Sequence, residues 1–561
     1  MAPGLSIRHP AFQRARLIAA GTCLLLAIVH TWPLITDPGT LSRNDNGDAQ
    51  LNEWILAWVA HQLPYAPARL FDANIFYPAK DALAFSEPLI VPAVLGMPLR
   101  WLGGSPVFVF NIVLILGFAL TAFAAYVLVH NWTGDHAAGL VAGSLFAFNS
   151  HTLTRLAHLQ GIHAWGLPLA LLAVDRVIVR ARVKDGVWLA VWMAAMAYTS
   201  GYLVVFGSVI VGVVVLVRIP DWCRRAKQVV PVLGLAVLTA GLASVPIYLP
   251  YRRVAVEQGL VRTLESVEQF SATLTGYLAS AGRLHYPLWS RRLFNEPIAV
   301  FFPGFVALLL ASLAVVWTLS DRRTSAPQSD MAPTRYRVVA LIAMVVVGVI
   351  LSLGTRTPAY GWLFNVFPPV QALRAPARFG NLFLLGVAAL AGIGLARVRS
   401  RLPAPRGRVL AIAAVALVSI ESLRAPFTYA RFEGIPAIYS LVRQAPGRVV
   451  LAEVPFYPAN LIFQNGTYVL NSTAHFKPLM NGYSGYIPAA YRRYAEAFQQ
   501  FPELQAVLAM REAGVTHVMV HPVRFNLNPE GTVQLMERAL QSPLLERVAI
   551  GQEGITLFRV K

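Results

Sequence analysis

The chain has 561 residues, of which 56% are hydrophobic and only 13% are charged, and its formal net charge is +20. This composition is too apolar for an ordinary soluble globular protein. The positive charge lies in short clusters between apolar segments, which is typical of membrane topology, so nucleic-acid binding is not expected.

Apolar segments long enough to cross a hydrocarbon core of ~30 Å recur along the first three quarters of the chain. The first follows a basic start and lacks a convincing cleavage site, so it is predicted to be a signal anchor. We count eleven predicted spans, at residues 15–35, 106–130, 137–150, 161–180, 186–201, 202–218, 229–250, 298–319, 338–354, 379–396 and 409–425.

The connecting loops predict the orientation of these spans. With the N-terminus in the cytoplasm, all but the first of the inner loops are rich in Arg or Lys, as the positive-inside rule requires. These loops are NWTGDH, RVIVRARVKDG, RIPDWCRRAK, DRRTSAPQSDMAPTRYR and RVRSRLPAPRGR. We therefore expect a multi-pass protein of the bacterial cytoplasmic membrane, with its C-terminal region outside the cytoplasm.

One apolar segment, SEPLIVPAVLGMPLRWLGG at 86–104, contains three prolines, and Glu87 lies at its start. Counting it as a crossing would reverse every later loop and break the charge bias. It is predicted to be a re-entrant or interfacial helix within an outer loop that runs from 36 to 105. A loop of this length is typical of functional segments.

The outer loop begins with the polar stretch LSRNDNGDAQLNEW, which contains Asp45 and Asp48. The following residues, LNEWILAWVAHQL at 51–63, place apolar side chains at helical spacing and predict an amphipathic helix at the bilayer surface. Asp48 directly precedes this helix and is predicted to be its N-cap. A capping carboxylate is held in a fixed position, so a cap and a catalytic role are compatible.

Other polar residues are predicted on the same side of the membrane. His158 and His163 lie in HTLTRLAHLQGIH, whose spacing is not a recognised zinc pattern, and hydrogen bonding to neighbours is the simpler explanation for them. Arg374 and Arg378 lie in LRAPARF, one helical turn apart if the following helix begins that early. Arginine binds phosphate with paired donors, but snorkelling at the membrane surface explains these residues equally well.

After residue 425 the pattern becomes that of an α/β region of normal domain size. RVVLAEVPF, TYVLNST, GVTHVMVH and ERVAIGQEGITLFRV are predicted to form strands, and IPAAYRRYAEAFQQF, PELQAVLAMREAG and GTVQLMERALQ helices. The stretch FKPLMNGYSGYIPAAYRRY, with Tyr483, is either a ligand loop or a packing loop. We predict a transmembrane domain over 1–425 and a soluble extracytoplasmic domain over 426–561.

Several stretches together resemble the GT-C class of polytopic glycosyltransferases: GDAQLNEWILAW, NIFYP, SEPL, HLQGIHAWGLPLALL, RAPARF and NGYSGY. The order of parts, a first span, a long outer loop with an early acidic residue, many spans and an outer domain, is similar to that of protein mannosyltransferases and lipid A aminoarabinose transferases. YfhO-like membrane proteins share this sequence texture. The resemblance implies a mostly α, polytopic fold of about eleven transmembrane helices.

The same resemblance implies a function. It is transfer of a sugar, with inversion, from a polyprenyl-phosphate donor to an extracytoplasmic glycan, lipid or protein acceptor. The resemblance implies an acidic catalytic residue in the first outer loop. Asp48 and Asp45 are the positions that match, and which of them is the base stays open. The spans predict contact with membrane lipids, and Glu87, His158, His163, Arg374, Arg378 and Tyr483 are candidate substrate-binding residues. No cofactor or protein-bound metal is expected, although a divalent cation is left open. The alternatives are a lipid or polysaccharide flippase or transporter and a non-catalytic envelope assembly protein.

Overall fold

A computed structural model of the chain describes residues 10–43, 45–259, 263–294, 299–320 and 334–561. Arg8, Asn44, Arg262 and residues 321–333 of a predicted basic loop lie outside the described residues. The first twelve α-helices are α1 (Pro10–His30), α2 (Gly47–Gln62), α3 (Ile90–Trp101), α4 (Pro106–Thr133), α5 (His136–Ala147), α6 (Ser150–Leu153), α7 (Leu159–Ile162), α8 (Gly166–Arg180), α9 (Val183–Ala197), α10 (Gly201–Val217), α11 (Ile219–Trp222) and α12 (Ala226–Glu257).

The remaining elements include all the strands. The helices are α13 (Leu264–Glu268), α14 (His285–Leu288), α15 (Phe305–Ser320), α16 (Thr334–Ser352), α17 (Pro358–Val366), α18 (Gly380–Arg399), α19 (Ala404–Ser422), α20 (Tyr439–Gln444), α21 (Gly466–Asn471), α22 (Ala489–Phe498), α23 (Leu504–Glu512) and α24 (Pro529–Gln541). The strands are β1 (Leu41–Ser42), β2 (Ala430–Arg431), β3 (Leu451–Val454), β4 (His517–Val520), β5 (Leu545–Ile550) and β6 (Thr556–Val560).

Each of the eleven predicted spans overlaps a helix, namely α1, α4, α5, α8, α9, α10, α12, α15, α16, α18 and α19 in chain order. Five stretches of the described residues are long and apolar enough to cross a membrane: Pro106–Thr133, Leu159–Arg180, Ile219–Glu257, Arg335–Ser352 and Pro376–Arg399. Four other apolar helices, α3, α5, α10 and α15, are shorter. The mostly helical, polytopic membrane fold is therefore confirmed, while the number of crossings stays a prediction.

The segment predicted to be re-entrant or interfacial contains α3, a helix of 12 residues with Pro98 inside it. At 1.5 Å per residue, a helix of this length spans about 18 Å. This is well short of the ~30 Å hydrocarbon core, which agrees with leaving α3 out of the predicted spans.

The chain forms two compact units. Unit 1 comprises residues 1–36, 114–247 and 261–428, and unit 2 comprises 37–113, 248–260 and 429–561. Unit 2 therefore contains the first predicted outer loop together with the C-terminal α/β region. The extracytoplasmic location of that region stays a prediction.

In unit 1, α18 is the central helix, since every residue from Gly380 to Leu395 except Phe383 is buried. A Cβ on Gly392 would approach the Ala138 carbonyl oxygen of α5 to 2.7 Å, and one on Gly394 would approach that of Leu310 in α15 to 2.0 Å. Small residues let membrane helices pack backbone against backbone. The glycines of α18 thus allow α5 and α15 to approach it closely.

Two buried acids of unit 1 have structural partners. Asp175 pairs with Arg218 and with Arg337, whose Nη2 lies 2.9 Å from Oδ2. The Glu421 carboxylate accepts hydrogen bonds from the backbone N–H groups of Phe305 and Val306, at the start of α15. Buried charges are expensive unless paired or hydrogen-bonded, and these two acids join separate helices of the unit.

Unit 2 is built on a four-stranded sheet of order β3-β4-β6-β5, in which only β3 and β4 run parallel. Backbone hydrogen bonds extend the edge beyond β3: Met480 N–H donates to the Leu451 carbonyl, and Phe76 N–H donates to the Asn481 carbonyl. A segment of the first loop is therefore bonded to the chain that follows β3. A separate short pair, β1 with β2, joins Leu41–Ser42 to Ala430–Arg431.

The predicted amphipathic helix is α2, but its environment differs from the prediction. All residues from Ala49 to Ala60 are buried, so the helix has no solvent-facing polar side over this stretch. Within unit 2 it packs against α3 and α21. Trp54 and Trp58 donate from their ring N–H groups, to Asn74 Oδ1 at 3.1 Å and to the Leu70 carbonyl at 2.8 Å. The prediction of an amphipathic helix at the bilayer surface is therefore wrong in its polar face, which is buried here.

The predicted elements of the C-terminal region are present with one exception. TYVLNST was predicted to be a strand, but it contains α21 and a short 3-10 turn. Tyr468, Val469 and Leu470 are buried on successive sides of this helix. Packing against α2 overrides the β-propensity of these residues, because propensity is a weak preference that tertiary contacts can reverse.

Candidate functional site

Asp48 lies in the first turn of α2, in unit 2. It is not the N-cap that the sequence predicted, because the cap is Asn46, whose side chain accepts a hydrogen bond from the Asp48 backbone N–H at 2.8 Å. The Asp48 carboxylate instead accepts a hydrogen bond from the Tyr483 hydroxyl, with 2.7 Å between Oη and Oδ1. Two candidate site residues far apart in sequence are thus in direct contact.

Two glycines, Gly47 and Gly466, allow other segments of the chain to pack closely against the start of α2, next to Asp48. A Cβ on Gly47 would lie 3.0 Å from the Phe463 carbonyl oxygen and 3.2 Å from the Tyr483 ring. A Cβ on Gly466 would lie 3.1 Å from the Gly47 Cα and 2.4 Å from Oε1 of Gln50. The starts of α2 and α21 are therefore in close backbone contact, which larger residues would prevent.

The loop that carries Tyr483 is fixed on its N-terminal side. Asn481 exchanges two hydrogen bonds with the backbone of Glu453: its Oδ1 accepts from the N–H at 2.8 Å, and its Nδ2 donates to the carbonyl at 2.9 Å. Asn465 donates to the Gly482 carbonyl at 3.0 Å. These asparagines hold the backbone on the N-terminal side of Tyr483, so the hydroxyl that meets Asp48 is carried by a restrained loop.

A buried polar cluster lies next to this loop. His521 Nε2 is 2.7 Å from Glu453 Oε2, and the Tyr439 hydroxyl donates to the same oxygen. Asn471 Nδ2 donates to the Tyr439 hydroxyl at 3.0 Å. A shared carboxylate of this kind fixes the ends of β3 and β4 and the start of α20 relative to one another.

The other two candidate acids of the first loop, Asp45 and Glu87, are placed differently. Asp45 is exposed and pairs with Arg43, with 3.2 Å between Nε and Oδ1. Glu87 is half-buried and directly follows Ser86, whose carbonyl accepts a hydrogen bond from the Tyr251 hydroxyl. Asp48 contacts the Tyr483 loop through its hydrogen bond from the Tyr483 hydroxyl.

Unit 1 contains a separate candidate site, which we call the arginine–histidine pocket. Its volume is about 30 Å³, room for about two water-sized groups. The polar residues that line it are His151, Thr152, Arg155, His158, Gln160, Ser200, Tyr202, Arg378 and Asn381.

The charge of this pocket comes from its arginines. Burial, and then the guanidinium groups of Arg155 and Arg378, lower the pKa of His158 well below its ordinary value. The imidazole is therefore neutral near pH 7 and provides one donor and one acceptor. Arg155 and Arg378 supply the positive charge.

Arg374 and Arg378 do not lie one α-helical turn apart, because Arg378 lies within a 3-10 turn at Pro376–Phe379, Arg374 precedes that turn, and α18 begins only at Gly380. Each guanidinium lies over a different ring, Arg374 over Phe270 at 4.5 Å and Arg378 over Tyr202 at 4.4 Å. The Tyr202 hydroxyl accepts from the N–H groups of Arg374 and Ala375, both at 2.9 Å. Tyr202 thus positions both arginines.

His163 does not line this pocket. It is 1% exposed and packs against Gly117 of α4, where an added Cβ would lie 2.6 Å from Nε2. Trp165 Nε1 lies 3.4 Å from His163 Nδ1. The predicted substrate-binding residues His158 and Arg378 are brought together, whereas His163 is not among the residues that line the pocket.

Sequence reasoning missed Tyr202, Asn46 and the Glu453 cluster. Tyr202 is an ordinary aromatic residue in an apolar run, and only the fold brings it under Arg378. Asn46 carried a readable signal, since asparagine is as good an N-cap as aspartate, but Asp48 was preferred. Among the residues that the structure describes, no group of three or more His, Cys, Asp or Glu side chains could hold a metal ion.

Structural comparison identifies the fold. The arabinofuranosyltransferase AftD from Mycobacteria superimposes with a TM-score of 0.56 at 15% identity, over 98% of this chain and 40% of that chain. This is the fold of a GT-C glycosyltransferase. The GT-C resemblance read from the sequence is thereby confirmed at the level of fold. This chain spans less than half the length of the AftD structure.

Two further solved structures give lower TM-scores. The oligosaccharyltransferase AglB from Archaeoglobus fulgidus, in complex with an inhibitory peptide and a dolichol-phosphate, gives 0.47 at 13% identity, over 92% of this chain and 70% of that chain. ArnT from Cupriavidus metallidurans, bound to undecaprenyl phosphate, gives 0.42 at 13% identity, over 97% of each chain. The sequence itself matches no family model and no curated protein.

Proposed function

We propose that this chain is a membrane glycosyltransferase that moves a sugar, with inversion, from a polyprenyl-phosphate donor to a glycan, lipid or protein acceptor outside the cytoplasm. The fold shared with an arabinofuranosyltransferase over 98% of this chain supports the class of reaction. A fold by itself does not determine activity. The activity therefore depends on the residues of the two candidate sites, one in each unit.

The observation that carries the proposal is the hydrogen bond from Tyr483 to Asp48. In the proposed reaction the Asp48 carboxylate takes the proton of the acceptor hydroxyl, and the acceptor oxygen bonds to the anomeric carbon. The bond from that carbon to the phosphate oxygen breaks, and its electron pair leaves with the lipid phosphate. Tyr483 orients the carboxylate, and the position of Asp48 in the first turn of α2 favours its negative charge.

The arginine–histidine pocket of unit 1 has the chemistry to hold a phosphate. Guanidinium groups bind phosphate oxygens with charge-assisted hydrogen bonds, and Arg155 and Arg378 both line the pocket. Neutral His158 and Asn381 add uncharged hydrogen-bonding groups. Positive groups that meet a departing phosphate stabilise the charge that develops on it.

The test is transfer of radiolabelled sugar from a panel of polyprenyl-phosphate sugars, arabinofuranose first, by purified protein in lipid nanodiscs. Asp48→Asn keeps the size of the side chain but removes the base, and we expect transfer to fall by 10²–10⁴-fold, the range typical of a general base. Asp45→Asn is the matched control and should retain most of the activity, because Asp45 is exposed and paired with Arg43.

Other outcomes would assign another role. Near-normal transfer by Asp48→Asn would move the search for the base to Asp45 and then to Glu87. Movement of labelled lipid across the membrane without any sugar transfer would support a flippase, which has no need of Asp48. Donor binding without transfer or transport would support an assembly protein.

A further inference from the structure

A second cavity of unit 1, which we call the α4–α8–α9 cavity, is not used by the proposed reaction. Its volume is about 260 Å³. It is lined by Arg16, Val127, Asn131, Leu169, Leu172, Ala173, Arg176, Asp185, Trp188 and Trp192. These residues come from α1, α4, α8 and α9.

The spacing of the lining residues shows how the cavity forms. Leu169, Leu172, Ala173 and Arg176 lie at i, i+3, i+4 and i+7 of α8, and Asp185, Trp188 and Trp192 at i, i+3 and i+7 of α9. Residues at these intervals share one face of a helix. α8 and α9 therefore each turn a continuous face towards one space, and Val127 and Asn131 of α4, at i and i+4, also line it.

The polar residues lie near the helix ends and the apolar ones lie deeper. Arg176 is four residues from the end of α8, or about 6 Å, whereas Leu169 is eleven residues, or about 16 Å, from the same end. Asp185 is the third residue of α9, and Asn131 lies two residues before the end of α4. The cavity therefore has a polar mouth near the helix ends and an apolar floor further along the helices.

The mouth offers both donors and an acceptor. Arg176 Nε is buried and has no hydrogen-bond partner among the described residues, and the same holds for Asp185 Oδ2. Arg16 adds a second guanidinium group to the lining. Two arginines and one aspartate leave a net positive charge at the mouth. The exposed residues Arg180, Arg182 and Lys184 lie where α8 ends and α9 begins.

We propose that the α4–α8–α9 cavity binds an anionic phospholipid with a hydroxyl-bearing head group, such as phosphatidylglycerol. The guanidinium groups receive the phosphate, the head-group hydroxyl donates to Asp185, and the start of an acyl chain lies along Leu169, Leu172 and Trp192. Free phosphate shares the charge chemistry but makes no use of the apolar floor. Basic cavities between membrane helices on the cytoplasmic side are typical lipid sites, and the positive-inside prediction places this mouth on that side.

The test uses the full chain, delipidated in detergent. Thermal unfolding and native mass spectrometry follow added phosphatidylglycerol, phosphatidylethanolamine, phosphatidylcholine or inorganic phosphate. We expect phosphatidylglycerol alone to raise the unfolding temperature and stay bound in the gas phase. Arg176→Gln should weaken its binding by about tenfold, as expected for one charge-assisted hydrogen bond. Arg406→Gln is the control, because it removes the same charge from an exposed site on the same predicted side.

Arg16→Gln changes a second arginine of the lining, at a half-exposed position. If Arg176→Gln does not fold, weaker phosphatidylglycerol binding by Arg16→Gln tests the proposal instead. An equal loss in Arg406→Gln would assign the effect to general surface charge and overturn the proposal. Stabilisation by inorganic phosphate alone would replace the lipid with a free anion. Equal binding of phosphatidylcholine would also contradict it.

Discussion

Tyr483 donates a hydrogen bond to Asp48 from a position 435 residues further along the chain. We expect Tyr483→Phe to lower kcat by about tenfold, the cost of one hydrogen bond to a charged group. The donor KM should change little, because Tyr483 acts through the carboxylate. A double-mutant cycle gives the decisive measurement. In an Asp48→Asn background, Tyr483→Phe should lower kcat almost no further. Additive losses of kcat would show that the two residues act separately.

The N-cap of α2 gives a prediction about stability. Asn46→Ala should lower the free energy of unfolding by about 1 kcal/mol, because the Asp48 backbone N–H loses its acceptor. Asn46→Asp should retain most of the stability, since aspartate caps equally well. Chemical denaturation in detergent measures both variants. If Asn46→Ala proved as stable as the parent chain, the cap would have no measurable role.

The buried Glu53 of α2 predicts a dependence of stability on pH. Burial raises the pKa of Glu53 to about 8 from an ordinary value of 4.5, while the hydrogen bond from Ser42 acts in the opposite direction. Since the folded state favours the protonated acid, ionisation destabilises it. Stability is therefore expected to fall as the pH rises from about 4.5 through about 8.

Glu53→Gln removes this ionisation and keeps a similar shape. The difference in unfolding free energy between the parent and Glu53→Gln, measured from pH 5 to pH 9, should move in favour of the variant as the pH rises. A difference that stays constant over this range would contradict the protonated state of Glu53.

The arginines of unit 1 give a prediction about donor binding. Arg378→Gln should weaken the binding of a polyprenyl phosphate by about tenfold, because it removes a guanidinium from the arginine–histidine pocket. Arg374→Gln should have a smaller effect, since Arg374 does not line the pocket and lies over Phe270. Arg291→Gln, at an exposed site on the same predicted side, is the control. Equal affinity in all three variants would make Arg378 a structural residue.

The predicted orientation can be tested with one native and one introduced cysteine. Cys223 is exposed in a predicted cytoplasmic loop, whereas Cys23 is buried. An impermeant maleimide should not label Cys223 in intact cells but should do so after permeabilisation. Gln444→Cys in a Cys223→Ser background should be labelled in intact cells, because it is exposed on the region predicted to lie outside. Labelling of both cysteines in intact cells would contradict the topology.

The helices of unit 1 could be predicted from the sequence because hydropathy alone determines which segments enter a membrane. The environment of α2 could not, because the residues that bury it, such as those of α21, come from the other end of the chain. The same limit applies to Arg374 and Arg378. Pro376 indicates in the sequence that the helix is interrupted there, but the contacts with the rings of Phe270 and Tyr202 depend on the fold. The catalytic role of Asp48 stays a prediction; the sequence placed it at the N-cap, whereas the cap is Asn46 and the Asp48 carboxylate accepts a hydrogen bond from Tyr483.

The edge of the unit 2 sheet, where Phe76 meets Asn481 and Leu451 meets Met480, has a consequence for biosynthesis. The first loop is synthesised hundreds of residues before the segment that completes it, so it remains unpaired until residues 451–481 have been made. A chain halted after residue 428 would leave the Asn74 partner of Trp54 without its own support from Ser472 and Lys477. Early termination should therefore expose residues 37–113 to proteolysis, even when every preceding helix has inserted.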